Sequence, residues 1–260
     1  MHPIFFELGP LQIRFYGLMY AIGITCALYI IRKEVRRKQI PLADDDIMNF
    51  VILPVVGGIL GARLYYVLFN WQTYHQHPWE IVKIWHGGLA IHGGILGGVL
   101  VGWWFTRRHH LSFWRMADVV APPAILAQTF GRFGNFMNGD AHGRPTSMPW
   151  GIVFPPNSIA GHEFPGIPLH PTMLYEMLSN LCIFLLLWKI RKIPWKDGFL
   201  FCLYLLLYSV GRFVVSFFRA DSLMLGPFRM AHIVSIALIL LAGGLILTWR
   251  LWERTPDAHS

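Results

Sequence analysis

The residues best suited to chemistry lie in Gly131-Arg132-Phe133-Gly134-Asn135-Phe136-Met137-Asn138-Gly139-Asp140. An arginine, two asparagines and an aspartate follow directly on an apolar stretch. Polar groups at a membrane edge are costly to place and mark functional sites. The interleaved glycines would allow a sharp turn or a close approach to a ligand. Together these residues predict a polar pocket for a charged group, above all a lipid phosphate.

Other residues of the same kind recur along the chain. Arg14, Arg63, Arg132, Arg144, Arg212, Arg219 and Arg229 all fall on the side of the membrane where basic residues are sparse, as the span assignment below shows. One such arginine is explained by an ion pair or by snorkelling, but several on one side favour an anion site. His92 opens an apolar segment within Trp85-His86-Gly87-Gly88-Leu89-Ala90-Ile91-His92-Gly93-Gly94. An imidazole there can take a proton near neutral pH, or it can serve as a hydrogen-bonded structural group. Tyr208 and Arg212 are i and i+4 on a helix and share a face. Glu176, one turn into the segment opened by His170-Pro171-Thr172, needs a cationic partner, and Arg132 and Arg212 are the candidates.

These residues must be positioned by membrane-spanning helices. The chain has 260 residues, 55% of them hydrophobic and only 14% charged, against about 25% charged in an ordinary soluble domain. We therefore expect an all-α polytopic membrane protein forming one integral membrane domain over 1–260. A span needs about 20 apolar residues. Seven segments qualify: Phe15–Ile31, Ile47–Phe69, Leu89–Phe105, Ala117–Phe133, Met173–Trp188, Phe199–Val215 and Ile233–Trp249. The fourth holds Pro122 and Pro123 and is expected to kink near its start. Gly57, Gly61, Gly93, Gly94, Gly97 and Gly98 read as surfaces for close helix packing. Asp44, Asp45 and Asp46 read as a helix cap with a solvated acidic face.

Basic residues set the orientation. Arg32, Lys33, Arg36, Arg37 and Lys38 fall on one side with Arg107, Arg108 and Arg115. Lys189, Arg191, Lys192, Lys196, Arg250 and Arg254 join them. That side is expected to be cytoplasmic. The N-terminus then lies outside and the C-terminus inside. Residues 134–172, between spans four and five, form a small irregular extracytoplasmic cap. The formal charge of +8 is explained by this bias and not by a nucleic-acid stripe. No basic region precedes the first apolar segment, so no cleavable signal peptide is expected. Cys26, Cys182 and Cys202 all lie in apolar segments without metal-ligand spacing. Neither GxSxG, HExxH, GxxxxGK[ST] nor GxGxxG occurs, which leaves hydrolase, metalloprotease and nucleotide-driven readings without a motif. A small transporter would also use intramembrane arginines but should show internal repeats, and none is visible. A purely structural scaffold leaves the outward arginines unexplained.

In their joint order, these motifs resemble the prolipoprotein diacylglyceryl transferase family. The likeness spans nearly the whole chain. It includes Phe15-Tyr16-Gly17-Leu18-Met19-Tyr20, Gly61-Ala62-Arg63-Leu64-Tyr65-Tyr66-Val67, His92-Gly93-Gly94 and Gly131 to Gly139. It continues through His170-Pro171-Thr172 with Tyr175-Glu176, and Tyr208-Ser209-Val210-Gly211-Arg212. The resemblance implies a bacterial inner-membrane transferase whose active site faces outward. It would move the diacylglyceryl group of phosphatidylglycerol to the lipobox cysteine of a prolipoprotein signal peptide. A thioether forms and glycerol phosphate leaves. No cofactor, metal or nucleic acid is implied, and a monomer is expected.

By that resemblance, Arg132 and Arg212 bind and stabilise the phosphate, and His92 is the candidate base for the thiol or else positions the substrate. Asn135 and Asn138 orient the headgroup or the loop, and Tyr16, Tyr66 and Tyr208 line the pocket. Arg63, Asp140 and Gly143 complete the expected substrate-binding set. The chain departs from the family at Asp140, where a glutamate is common. It departs again at Ser216, where many members carry a glutamate four residues after the arginine equivalent to Arg212. Any carboxylate pairing with Arg212 is then lost or moved, with Glu176 and Asp221 as candidates. His86 also departs from the acidic or small residue common there, and no function is attached to it.

Overall fold

The computed structural model describes residues 4–8, 11–221 and 223–255. Nine helices carry most of them: α1 Phe15–Arg37, α2 Asp44–Phe69, α3 Trp71–Tyr74, α4 Ile91–Arg108, α5 Phe113–Asn138, α6 Ile159–Glu163, α7 Thr172–Ile190, α8 Phe199–Ser216 and α9 Met230–Thr248. Each of the seven expected segments falls on a long helix. Five of these, α1, α2, α7, α8 and α9, are long and apolar enough to cross a membrane. Among the described residues, α4 and α5 fall short of that class. The first is diluted by glycine and ends in Arg107 and Arg108, and the second carries Arg115, Asp118 and Arg132. Pro122 and Pro123 both lie inside α5.

The chain is mostly helical, as expected, with two short antiparallel ribbons added. One pairs β1 Ile4–Leu8 with β2 Leu11–Arg14. The other pairs β3 Met224–Leu225 with β4 Phe228–Arg229 across a turn in which Gly226 has a φ of 58°. Strands this short give little periodicity to read. The aspartates at 44–46 occupy the first turn of α2, where they face the positive end of the helix dipole. The cap position itself is Ala43, which makes no side-chain bond.

The residues group into two compact units, one built from residues up to Ile30 and from Ala117 onward, the other from Ile31–Met116. In the second unit, α2 packs on α4 through glycine. A Cβ on Gly61 would overlap the Gly93 carbonyl, and one on Gly97 would overlap the Gly57 carbonyl. A Cβ on Gly58 would stand 3.2 Å from the Gly94 carbonyl. Helix backbones approach this closely only where both faces lack side chains. The outward surface of α2 is apolar, with Leu60 and Leu64 exposed, as a lipid-facing helix requires.

In the first unit, α5 is locked to α8 from below. Asp118 accepts from the backbone N–H groups of Gly198 and Phe201, each at 2.9 Å, and so satisfies the free donors at the start of α8. Gln128 donates to the Tyr204 hydroxyl at 2.7 Å. The chain leaves α5 at Gly139, whose φ of 71° suits glycine. The segment after it, up to Pro171, is irregular. Phe154, Ala160, Leu169 and Met173 form its own small core. Thr172 fastens it to α7 by donating to the Ala141 carbonyl at 2.7 Å.

The glycine seam generates a prediction. Gly93→Val forces a side chain into the Gly61 backbone and should destabilise the protein by about 1–3 kcal/mol. Gly102→Ala, where a Cβ meets nothing within 4 Å, should not lower stability. Thermal unfolding of both variants in detergent checks the contrast, and equal melting temperatures would contradict it.

Candidate functional site

Three arginines converge on one carboxylate in the first unit. Glu176 sits in the second turn of α7 and is 3% exposed. A carboxylate in that setting stays ionised only if it is paired. Arg132, from the end of α5, reaches its Oε2 at 2.7 Å. Arg212, from the last turns of α8, donates to Oε1. Arg219, just beyond α8, donates to the same oxygen at 3.0 Å. Arg219 also forks onto Asp221 through Nε at 2.9 Å and Nη2 at 2.6 Å. Burial on its own would pull the Arg219 proton affinity down. The bonds to Asp221 and the charge of Glu176 more than reverse this, holding it above the usual arginine range.

The three arginines are not equivalent. The Arg219 side chain is 8% exposed and is committed to two carboxylates. Those of Arg132 and Arg212 keep 23% and 24% exposure, so each side chain is partly accessible. The directly paired group holds three cations against two carboxylates. Asp140 stands one hydrogen bond further out, where its Oδ1 accepts from Asn135 at 3.0 Å, and Asn135 in turn accepts from Arg132 at 3.2 Å. The shorter Asp140 side chain therefore still reaches the motif, because Gly139 turns the chain back over the end of α5.

The motif itself folds differently from the expected loop. Gly131 and Gly134 lie within α5. Gly134 is there for packing, since a Cβ on it would meet the Tyr16 ring at 3.3 Å. Tyr16 is thereby placed on the turn of α5 next to Arg132, with its hydroxyl 3.1 Å from that of Tyr20. Asn138 is the last residue of α5. Tyr208 lies one turn before Arg212, its ring 6.1 Å from Tyr204. Gly143 bridges to Arg219, and a Cβ on it would meet the Phe218 carbonyl at 2.8 Å. Gly143 therefore fixes the segment carrying Arg219.

Arg63, Tyr66 and His92 belong to the second unit. Arg63 was expected among the substrate-binding arginines, but its guanidinium is spent on the main chain. It donates to Ile81 at 2.9 Å, Gly87 at 2.7 Å, Gly88 at 3.0 Å and also to Glu80. Four carbonyls of the segment between α3 and α4 are thus tied to α2. Tyr66 flanks Gly88 in the same place. Glu80, on the outer side of that segment, is held down to about 2 by hydrogen bonds from Lys83 and then His86. His92 is exposed in the first turn of α4, its ring 6.1 Å from Tyr65.

Sequence reasoning asked for a partner to Glu176 without placing it in the site. It counted Arg219 among the outward arginines and named Asp221 as a candidate partner of Arg212, but placed neither in the site. The available signal was the presence of two further charges, of opposite sign, soon after Arg212. The missing glutamate at Ser216 is answered by Glu176. Ser216 is fully buried, and its carbonyl accepts from Arg229.

Fold and site together define a polytopic membrane protein with a partly open arginine pair. Comparison with known sequences narrows this class. The family model described as "Prolipoprotein diacylglyceryl transferase" matches residues 3–249. A protein named phosphatidylglycerol–prolipoprotein diacylglyceryl transferase from Fusobacterium nucleatum is 38% identical over 275 residues, covering 92% of this chain and 95% of its own. Proteins of the same name are 43% identical in Bacillus cereus (91% of this chain, 87% of the relative) and 41% identical in Trichormus variabilis (98% and 91%). The chain belongs to the prolipoprotein diacylglyceryl transferase family.

Removing the shared carboxylate leaves buried cations without their partner. Glu176→Ala should therefore destabilise the protein by about 3–5 kcal/mol, read by thermal unfolding in detergent. An unchanged melting temperature would show that the arginines do not depend on Glu176.

Proposed function

We propose that this chain transfers the diacylglyceryl group of phosphatidylglycerol to the lipobox cysteine of prolipoproteins, the first step of lipoprotein maturation. The observation that carries the reading is the convergence of Arg132 and Arg212 from two helices while both side chains stay partly exposed. In the reaction the thiol sulfur attacks the glyceryl carbon. A carbon–sulfur bond forms, the bond from that carbon to the phosphate oxygen breaks, and glycerol phosphate leaves. Negative charge grows on the departing phosphate, and two planar guanidinium forks suit that charge and shape. Asn135, Asn138 and Asp140 set the position of Arg132 and of the headgroup, and Tyr16 and Tyr208 supply further donors. Gly143 acts through the segment that carries Arg219.

His92 is our candidate for taking the thiol proton. Its exposed position suits that role, and thiolate is nucleophilic enough to need little more. Tyr66 stays among the proposed lining residues, while Arg63 orders the segment between α3 and α4. We place all seven long helices across the bacterial inner membrane, N-terminus outside and C-terminus in the cytoplasm. The irregular segment before α7 then forms the outward cap over the site, and the working unit is a monomer.

The test is to incubate purified protein with phosphatidylglycerol and a lipobox peptide and to weigh the peptide. The expected result is a diacylglyceryl increment on cysteine with glycerol phosphate released. Arg132→Ala and Arg212→Ala should each lower turnover at least a hundredfold in folded protein, the scale of one lost oxyanion donor. His92→Asn should lower it strongly and change the pH–rate profile. No increment from folded wild-type protein, or full turnover in either arginine variant, would overturn the reading.

A further inference from the structure

One turn beneath the ion pairs, α7 and α8 hold two polar side chains that the proposed reaction leaves unused. Asn180 on α7 is 2% exposed and Ser209 on α8 is 1% exposed. Among the described residues, neither Asn180 Nδ2 nor Ser209 Oγ has a hydrogen-bond partner. Buried polar atoms are nearly always satisfied, so two orphans on adjoining helices call for a reason.

Their placement supplies one. The helices run antiparallel, with Glu176 meeting Arg212. A Cβ on Gly211 would lie 2.7 Å from Ser179 Oγ. Four residues on along α7 and three back along α8 bring Asn180 and Ser209 to the same depth, about 5–6 Å below the arginines. Asn180 shares the face of Glu176, and Ser209 shares the face of Arg212. Both residues therefore sit on the helix faces that carry Glu176 and Arg212, one turn below them. Asn180 offers an N–H donor there, and the Ser209 hydroxyl can donate beside it.

We propose that Asn180 and Ser209 form a second subsite, which takes an ester carbonyl oxygen of the lipid substrate while the arginines hold its phosphate. The inference rests on the transferase reading above. In a diacylglycerophospholipid the ester carbonyls sit a few bonds from the phosphorus and point toward the acyl chains, on the side where these two donors lie. An ester oxygen accepts and does not donate, which matches the Asn180 donor. Such a subsite would also fix which glyceryl carbon faces the incoming thiol.

The experiment compares phosphatidylglycerol with its dialkyl ether analogue, which has the same headgroup and chain lengths but no carbonyl oxygens. Transfer to a lipobox peptide is measured for wild type, Asn180→Leu and Ser209→Ala. Wild type should prefer the ester lipid about tenfold in kcat/KM, the worth of one ordinary hydrogen bond. Each variant should lose that preference by slowing on the ester lipid alone, with its melting temperature preserved. An ester-to-ether ratio near one in wild type would overturn the subsite, and so would a ratio that survives both substitutions. Equal slowing on both lipids would assign the two groups to a bound water and also overturn it. Transfer from neither lipid by folded wild-type protein would instead remove the transferase reading on which the subsite stands.

Discussion

A carboxylate enclosed by apolar helices cannot remain charged alone, and this constraint at Glu176 organises the first unit. Its pairing with Arg132, Arg212 and Arg219 draws the end of α5, the start of α7 and the end of α8 to one point. The pairing also resolves a problem for the arginines. Guanidinium groups that await an anionic ligand would otherwise be desolvated without compensation or would swing into solvent. Held on Glu176, two of them keep a fixed direction and a free edge. Arg219, gripped by Asp221 as well, serves as a fixed strut. Asn135 and Asp140 extend the same network onto the chain that leaves α5, so that segment is tied to the arginines by one set of bonds.

The second unit solves a different problem. Its α2 and α4 pack through glycine because no hydrophobic force drives helices together in lipid, and close contact must serve instead. Arg63 then ties the segment between α3 and α4 to α2 through four main-chain carbonyls. Each bond satisfies a polar group that a loop near the membrane would otherwise leave bare. His92 follows that segment directly, so the order imposed by Arg63 is passed to the first turn of α4.

The helices were legible because apolar length is a strong signal, and the seven sequence segments fall on the seven long helices. Membrane competence was less legible for α4 and α5, where glycine, proline and charge offset length. Glycine was the least legible residue within the site. Gly131 and Gly134 were read as allowing a turn or a close approach to a ligand; both lie in α5, and the turn comes at Gly139. A sequence shows that a glycine is needed but not whether φ or a neighbouring ring needs it. The arginines were legible as a group because they oppose the charge bias. Which of them stay open was not, because Arg63 and Arg132 differ only in what the fold brings beside them.

The central claim is that the open edges of Arg132 and Arg212 bind phosphate. The most direct measurement is the binding of glycerol phosphate to the purified protein by titration calorimetry in detergent. It should be made on wild type, Arg132→Lys, Arg212→Lys and Arg63→Lys. Lysine keeps the charge but loses the planar fork. The account predicts at least tenfold weaker binding in the first two variants and unchanged binding in the third. Equal affinity across wild type, Arg132→Lys and Arg212→Lys would contradict it.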